Sequence, residues 1–378
     1  MESETYDIAI IGGGLAGLSL AIQSAMEGYR VVLFEKETYP FHKVCGEYIS
    51  MESWPFLERL GVTLQDLQLP LIDKLDISDA NGKRYHFNLP LGGFGISRYK
   101  LDNILYKIAL EKSVHFFTGT KVVDVNFPND AFVIDTSAGQ FKARLAAGSF
   151  GKRSNLDIKW KRSFAQQKAG KLHNYIGIKY HIKYPNVPNV IALHNFKDGY
   201  CGISSIEDGI CCLCYLTTAQ NLQLSGQSIK QMEEQVLGKN PRLQEIFTNA
   251  EFLYDEPLAI SQISFGQKSQ IENHVLMLGD AAGMITPLCG NGMSMAMHAS
   301  KLAFENMHAF LQGKIERQLM EQSYTKQWRQ TFAKRLWMGR QVQRVFGGTT
   351  TTATFLQTMK AIPPLAKAII RSTHGKPF

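Results

Sequence analysis

Two groups of residues in the 378-residue chain have types and spacings suited to cofactor chemistry. Gly12, Gly14 and Gly17 give G-x-G-x-x-G around Leu15 and Ala16, and Glu35 with Lys36 follows 18 residues after Gly17. Gly279-Asp280-Ala281-Ala282-Gly283 lies far downstream, followed by Pro287, Gly290, Asn291 and Gly292.

The first group must sit between a strand and a helix to act. Tyr6–Ile11 is a short apolar run that predicts a buried parallel strand, and 15–27 predicts a helix with Leu15, Leu18, Ile22 and Ala25 on one face. Gly28 ends that helix, and 30–34 predicts a second strand that delivers Glu35 to its C-terminal end. In such a unit Gly12 permits the tight turn, Gly14 admits a pyrophosphate and Gly17 lets the helix pack on the sheet. The helix N-terminus offers free N–H groups to phosphate. Glu35 is placed to accept from a ribose diol and disfavours a 2′-phosphate, which leaves the adenosine half of FAD or of NAD.

The second group selects FAD. His274–Leu278 predicts a strand, so Asp280 lies at the edge where open α/β sheets bind ligands. FAD carries ribityl hydroxyls that a carboxylate there can hold. The helix expected over 293–311 starts in a glycine-rich turn, and its N-terminus would favour negative charge on a reduced flavin.

These segments resemble the para-hydroxybenzoate hydroxylase-type flavoproteins, a group that includes aromatic monooxygenases, flavin-dependent halogenases and geranylgeranyl reductases. The resemblance rests on GGGLAG (12–17) with Glu35, GDAAG (279–283), PLCGNG (287–292) and Arg98-x-x-Leu101-Asp102, and spans most of residues 1–312. It implies a glutathione-reductase/hydroxylase-type α/β fold: an FAD-binding Rossmann-like domain (1–75, 95–155, 268–312), an inserted β-rich substrate domain (76–94, 156–267) and a basic helical C-terminal tail (313–378). It also implies an arginine, Arg98, beside FAD. Lys43–Glu47 is most similar to the geranylgeranyl reductase-like branch, which implies that Cys45 and Glu47 pass near the flavin and act in catalysis.

The sequence departs from the group in three places. The segment 147–154 has no Asp where the hydroxylases carry Asp-Gly. Tyr200-Cys201-Gly202-Ile203-Ser204-Ser205 keeps only the tyrosine of the reductases' Tyr-x-Trp-x-Phe-Pro. Trp54, Trp160, Trp328 and Trp337 do not form the halogenases' Trp-x-Trp-x-Ile-Pro. A reductase or dehydrogenase acting on a small apolar or aromatic molecule is therefore the first expectation. An aromatic or polyene monooxygenase is the alternative, with a halogenase and a non-catalytic flavin-binding protein behind it. With no second G-x-G-x-x-G, reducing equivalents would come from NAD(P)H bound transiently or from an electron-donor protein.

Strand-like runs at 174–180, 190–194, 210–217 and 259–263, with one helix over 230–237, form the expected substrate domain. Lys171, His173, Tyr180 and Tyr200 are its polar candidates to face the flavin. Cys211, Cys212 and Cys214 lack metal-ligand spacing, so the six cysteines read as thiols and no metal is expected.

The net charge of +8 belongs to the tail, since residues 313–378 carry six Lys and six Arg against Glu316 and Glu321. Trp328, Phe332, Leu336 and Trp337 recur there at helical spacing among basic residues. That pattern fits either a helix packed across the domains or one that meets a membrane surface. Gly347–Thr352 should break the tail, Pro363-Pro364 should stop any helix, and a short terminal helix is expected after them. Nucleic-acid binding is not expected without a recognised module. The N-terminus lacks secretory features, which predicts a cytoplasmic protein.

Overall fold

The structure, a computed structural model, describes residues 5–166, 174–263 and 265–378, the Cys289 side chain apart. Lys171 and His173 lie outside the described residues.

Two sheets organise the chain. The first is built on parallel strands. Thr5–Ile11 is flanked on one side by Val31–Phe34 and on the other by Gly139–Gly148, with His115–Phe117 and Val275–Met277 further out. The central strand carries Ile8, Ala9 and Ile10 at zero exposure. Such a run is required where helices cover both faces of a parallel sheet. The helix Leu15–Met26 and the helix Gly292–Leu311 pack against each other beside this sheet. Both therefore start at the C-terminal edge of its strands.

Among the described residues the second sheet has nine strands, mostly antiparallel, with Tyr175–Lys183, Cys211–Thr218, Gly199–Ser205 and Val190–Phe196 side by side at its centre. Leu71–Ser78 and Arg84–Gly95 extend it, and Tyr48–Ser50 pairs at its end. The strand from Leu71 thus takes residues 71–75 into this sheet. Helices Ile229–Gln235 and Pro241–Asn249 cover the outer face through Met232, Leu243 and Ile246. Because both faces are covered, these strands do not alternate apolar and polar residues.

The tail forms three helices: Arg317–Val345, Thr349–Ala361 and Pro363–Thr373. Trp328, Phe332 and Leu336 are buried in the core of the first sheet's domain, and Tyr324 donates to the Met277 carbonyl at 2.6 Å. Of the aromatic and apolar stripe, only Trp337 is exposed, at 53%. The first tail helix is thus a packed element of the cofactor domain. The break is shorter than expected, since Thr349–Thr352 are already helical. Pro363 and Pro364 occupy the first turn of the last helix, where a missing N–H costs nothing, so they start a helix there.

Candidate functional site

The two glycine-rich corners meet. Gly279 has φ +54°, and a Cβ built on it would lie 3.6 Å from the Cβ of Ala16 and 3.5 Å from that of Ala296. The corner after the first strand and the corner after Val275–Met277 are therefore adjacent, about 260 residues apart in sequence.

The first corner has the shape of a phosphate cradle. Gly12 has φ +102°, and a Cβ there would come within 2.6 Å of the Ser149 carbonyl oxygen. A Cβ on Gly17 would collide with the Gly12 carbonyl. Gly14 differs: its nearest neighbours would be Arg98 Nη2 and Lys43 Nζ, both at 3.8 Å. Two cations thus face the backbone at the N-terminus of the first helix, where an anion gains from both charge and free N–H groups. Arg98 makes a bidentate pair with Asp102, with both bonds at 2.7 Å, and Lys43 reaches the same carboxylate at 3.0 Å. Burial pushes the Asp102 carboxyl up, but Arg98 and Lys43 more than reverse this and hold it below its ordinary value. Arg98 is therefore fixed in place and is not a mobile surface cation.

Glu35 is buried at the end of the second strand. Its Oε2 accepts the Gly13 N–H at 2.8 Å and its Oε1 accepts the Glu37 N–H at 3.1 Å. Each carboxylate oxygen has a further lone pair for a ribose hydroxyl. Tyr39 closes the same turn by donating to the Gly13 carbonyl at 2.6 Å. Lys36 points into solvent beside Glu37.

At the second corner, burial raises the Asp280 carboxyl above its ordinary value, against the opposing pull of Lys268, Arg98 and Lys152. Among the described residues no donor bonds this carboxylate, which leaves it free to accept from a sugar-like hydroxyl. Pro287 and Gly290 shape the turn, and Gly290, at φ +65°, lies against Tyr48. Asn291 is wholly buried, and its side chain donates to the Thr373 carbonyl at 2.6 Å, which ties this corner to the last helix. Gly292 begins the long helix, as the spacing predicts.

The segment 43–47 lies across the inner face of the second sheet. Cys212 donates to the Cys45 carbonyl at 3.2 Å, Ser204 to the Gly46 carbonyl at 3.1 Å and Lys179 to the Lys43 carbonyl at 3.2 Å. Cys45 is partly exposed, and burial pushes its thiol up. Glu47 is fully buried. Its carboxylate takes Lys179, the His181 ring at 2.6 Å and the Arg98 N–H at 2.8 Å. Burial raises the Glu47 carboxyl, but the His181 bond and the Lys179 ammonium outweigh it and leave it below its ordinary value. Glu47 thus holds the segment against the sheet. Glu47, His181 and Cys212 bring three metal-type ligand atoms within 4.8 Å of one another, but the Lys179 ammonium already neutralises that carboxylate.

Pairing register decides which strand residues face the cofactor side. Lys179 pairs with Cys214 and Cys214 with Gly202; Gly177 pairs with Leu216 and Leu216 with Tyr200. All of these share the inner face. Tyr180, one residue from Lys179, points to the other face and donates to Glu233 at 3.0 Å, which removes it from the candidates. Tyr200 lies in an apolar cluster with Leu193, Leu216, Ile77 and Phe265, which also takes in Met284 and Leu288 from the second corner. Gly202 and Cys214 are partly exposed between this cluster and the 43–47 segment. Lys43, Lys179 and His181 were not singled out by sequence reasoning. Lys43 carried one signal, its place at the head of the Cys-Gly-Glu segment.

Comparisons with known proteins agree with this arrangement. The family described as FAD binding domain matches residues 7–42. Conditioned medium factor receptor 1 of Dictyostelium discoideum is 25% identical over 363 residues, covering 85% of this chain and 66% of that protein. Tryptophan 2-halogenase of Chondromyces crocatus is 23% identical over 334 residues, covering 82% and 62%. The chain thus spans just under two thirds of the length of these relatives. Among solved structures, a flavin-dependent brominase superposes with a TM-score of 0.79 at 18% identity, over 98% of this chain and 93% of the other. A geranylgeranyl bacteriochlorophyll reductase-like protein of Thermoplasma acidophilum superposes at 0.75 with 16% identity, over 99% and 92%. The chain thus has an FAD-binding Rossmann-like fold, the fold of solved flavin-dependent halogenase, monooxygenase and reductase-like structures.

Proposed function

We propose that this chain holds FAD and uses it to oxidise or reduce a small apolar or aromatic molecule lying against the inner face of the second sheet. One observation carries the reading. The apolar cluster around Tyr200, Leu193 and Leu216 includes Met284 and Leu288, so the sheet and the second cofactor corner share one apolar wall. Water-poor walls with few polar groups suit an apolar ligand and strengthen electrostatic effects at the ring beside it.

When bound, FAD supplies the two-electron exchange; the chain's residues position and screen it. Gly14, Arg98, Lys43 and the first helix N-terminus hold the pyrophosphate, Glu35 the ribose, and Asp280 a ribityl hydroxyl. Cys45, held over the sheet by Cys212, Ser204 and Glu47, borders the substrate space, with Gly202 and Cys214 as its floor. Gly202 stands where the geranylgeranyl reductases' motif has tryptophan, which makes the floor roomier here. Electrons come from transient NAD(P)H or from a donor protein.

Within this reading we favour reductase or dehydrogenase chemistry, supported by the Lys43–Glu47 segment and its seat on the sheet. An oxygen-dependent reaction, hydroxylation or halogenation, is the second reading. It is favoured by the tryptophan 2-halogenase and the brominase among the similar proteins. The experiment reduces the FAD-loaded protein anaerobically and mixes it with a panel of apolar and aromatic compounds. Oxidation of the flavin by a compound without oxygen supports the first reading. Oxygen uptake with a hydroxylated product, or a brominated one in bromide, supports the second. Purified protein that takes up no flavin defeats both.

A further inference from the structure

The corner between the last two helices exposes an apolar run flanked by cations. Ala361, Ile362, Pro363, Pro364, Leu365 and Ala368 are all exposed, Ile362 at 48% and Leu365 at 38%. Lys360, Lys367 and Arg371 are exposed around them. From residue 322 to the last residue the sequence contains no Asp or Glu, so no acidic side chain of the tail beyond the first turns of its first helix offsets these charges. On the last helix Ala366 and Ile370 face inward and are buried, while Leu365, Lys367 and Ala368 face out. The outward apolar residues are thus not the edge of the core but a separate surface.

We infer that this corner seats the protein on an anionic lipid surface, with Ile362 and Leu365 entering the headgroup–acyl boundary and Lys360, Lys367 and Arg371 meeting lipid phosphates. Apolar residues projecting from a short amphipathic helix among cations are what interfacial binding requires. Lysine stems can lie along the boundary while their ammonium groups stay in water. An acidic protein surface would satisfy the cations alone and leave the apolar run without a partner. Among the described residues no helix is long and apolar enough to cross a membrane.

The corner also adjoins the apolar interior. The inward Ile370 packs with Leu89 and with Tyr48, which lies against Gly290 of the second cofactor corner. A cavity of about 250 Å³ opens between Leu89, Pro90 and Leu91 on one side and Ile370, Arg371 and His374 on the other. The second tail helix, which ends at this corner, places Phe355 and Leu356 in the cluster around Tyr200. An apolar compound dissolved in a bilayer would therefore reach the protein on the side nearest the proposed substrate wall. This last step rests on the proposed function; the lipid contact does not.

The test is sedimentation of the FAD-loaded full chain with vesicles of phosphatidylglycerol and phosphatidylcholine, and with phosphatidylcholine alone. The chain is expected to pellet with the mixed vesicles at low salt and to stay in solution with phosphatidylcholine alone. Ile362→Asp/Leu365→Asp and Lys360→Glu/Lys367→Glu are each expected to weaken binding by about tenfold or more. FAD content and thermal midpoint should stay unchanged, which separates loss of lipid binding from loss of the cofactor fold. Wild-type protein that stays in solution with mixed vesicles would overturn the inference. So would an apolar double variant that pellets as well as wild type, since the contact would then be purely electrostatic and fit an acidic protein.

Discussion

Lys179 and Glu47 form an ion pair with neither side chain exposed, and it joins the loop after the second cofactor strand to the middle of the second sheet. The same carboxylate receives the Arg98 N–H at the start of the helix Arg98–Glu111 and the His181 ring. One buried anion thus ties three elements that also frame the cofactor site. Removing one member strands a charge away from water, which costs about 3–5 kcal/mol. Lys179→Met should lower stability by that order in urea titration. Glu47→Gln/Lys179→Met should lose less than the two single variants together. Additive losses would mean that the two residues act independently.

The cofactor corners were legible in the sequence because their glycines have local jobs. Gly12 needs its positive φ, and Gly17 must touch the Gly12 carbonyl, whatever the rest of the chain does. The substrate side was not legible to the same degree. Both faces of Tyr175–Lys183 are covered, so the sequence has no polar face from which to read its parity, and Tyr180 was expected on the face that Lys179 occupies. Only pairing with Cys211–Thr218 fixes the face. The tail gave the same ambiguity. Trp328, Phe332 and Leu336 pack against the cofactor domain, while the exposed apolar residues sit at Ile362 and Leu365, at the proline turn between the last two helices.

Gly14 and Gly17 should fail in different ways. A side chain at Gly14 enters the space in front of Arg98 and Lys43, with nothing closer than 3.8 Å to its Cβ. Gly14→Val is therefore expected to fold with a near-normal circular dichroism spectrum and to purify without yellow colour. Gly17→Ala instead drives a methyl group into backbone, and such overpacking costs about 1–3 kcal/mol or more. It should lower the thermal midpoint of the apoprotein. A yellow, stoichiometric Gly14→Val protein would contradict the pyrophosphate assignment.

Asp280 carries a carboxylate with no donor among the described residues and a pKa raised by burial. A hydrogen bond to a charged acceptor is worth about 1.5–3 kcal/mol. Asp280→Ala should therefore raise the FAD dissociation constant by roughly tenfold to a hundredfold, while the apoprotein keeps its stability. Flavin fluorescence titration of the wild type and of Asp280→Ala measures the constant directly. An unchanged constant would separate Asp280 from the ribityl chain.

Acid should weaken the fold partly through His194. Burial, helped by the Arg84 charge, holds its pKa at about 4, against an ordinary 6.5, and its Nδ1 pairs with the Ser78 hydroxyl at 2.9 Å. The folded state thus keeps this ring neutral at pH values where the unfolded chain protonates it. Its contribution is intact above pH 6.5 and is lost as pH falls from 6.5 towards 4, amounting to on the order of 3 kcal/mol. His194→Gln should flatten the stability–pH curve over that interval by about one proton's worth of slope. A curve parallel to wild type would show that His194 does not stay neutral in the folded protein.

Gly202 tests the substrate wall. It lies on the inner face, directly paired with Cys214 and Leu193, and is partly exposed among buried neighbours. A Cβ there would meet Leu193 Cδ2 at 3.4 Å and the Cys214 carbonyl at 3.6 Å, both ordinary contacts, so a side chain can be added without displacing backbone. Gly202→Leu would extend that side chain into the space between Tyr200 and Cys45. FAD binding and the thermal midpoint should stay close to wild type, because neither cofactor corner touches this position. Oxidation of the reduced flavin by a large apolar compound should slow at least tenfold, and a smaller compound should lose less. Equal losses for both sizes would place the substrate elsewhere on the flavin.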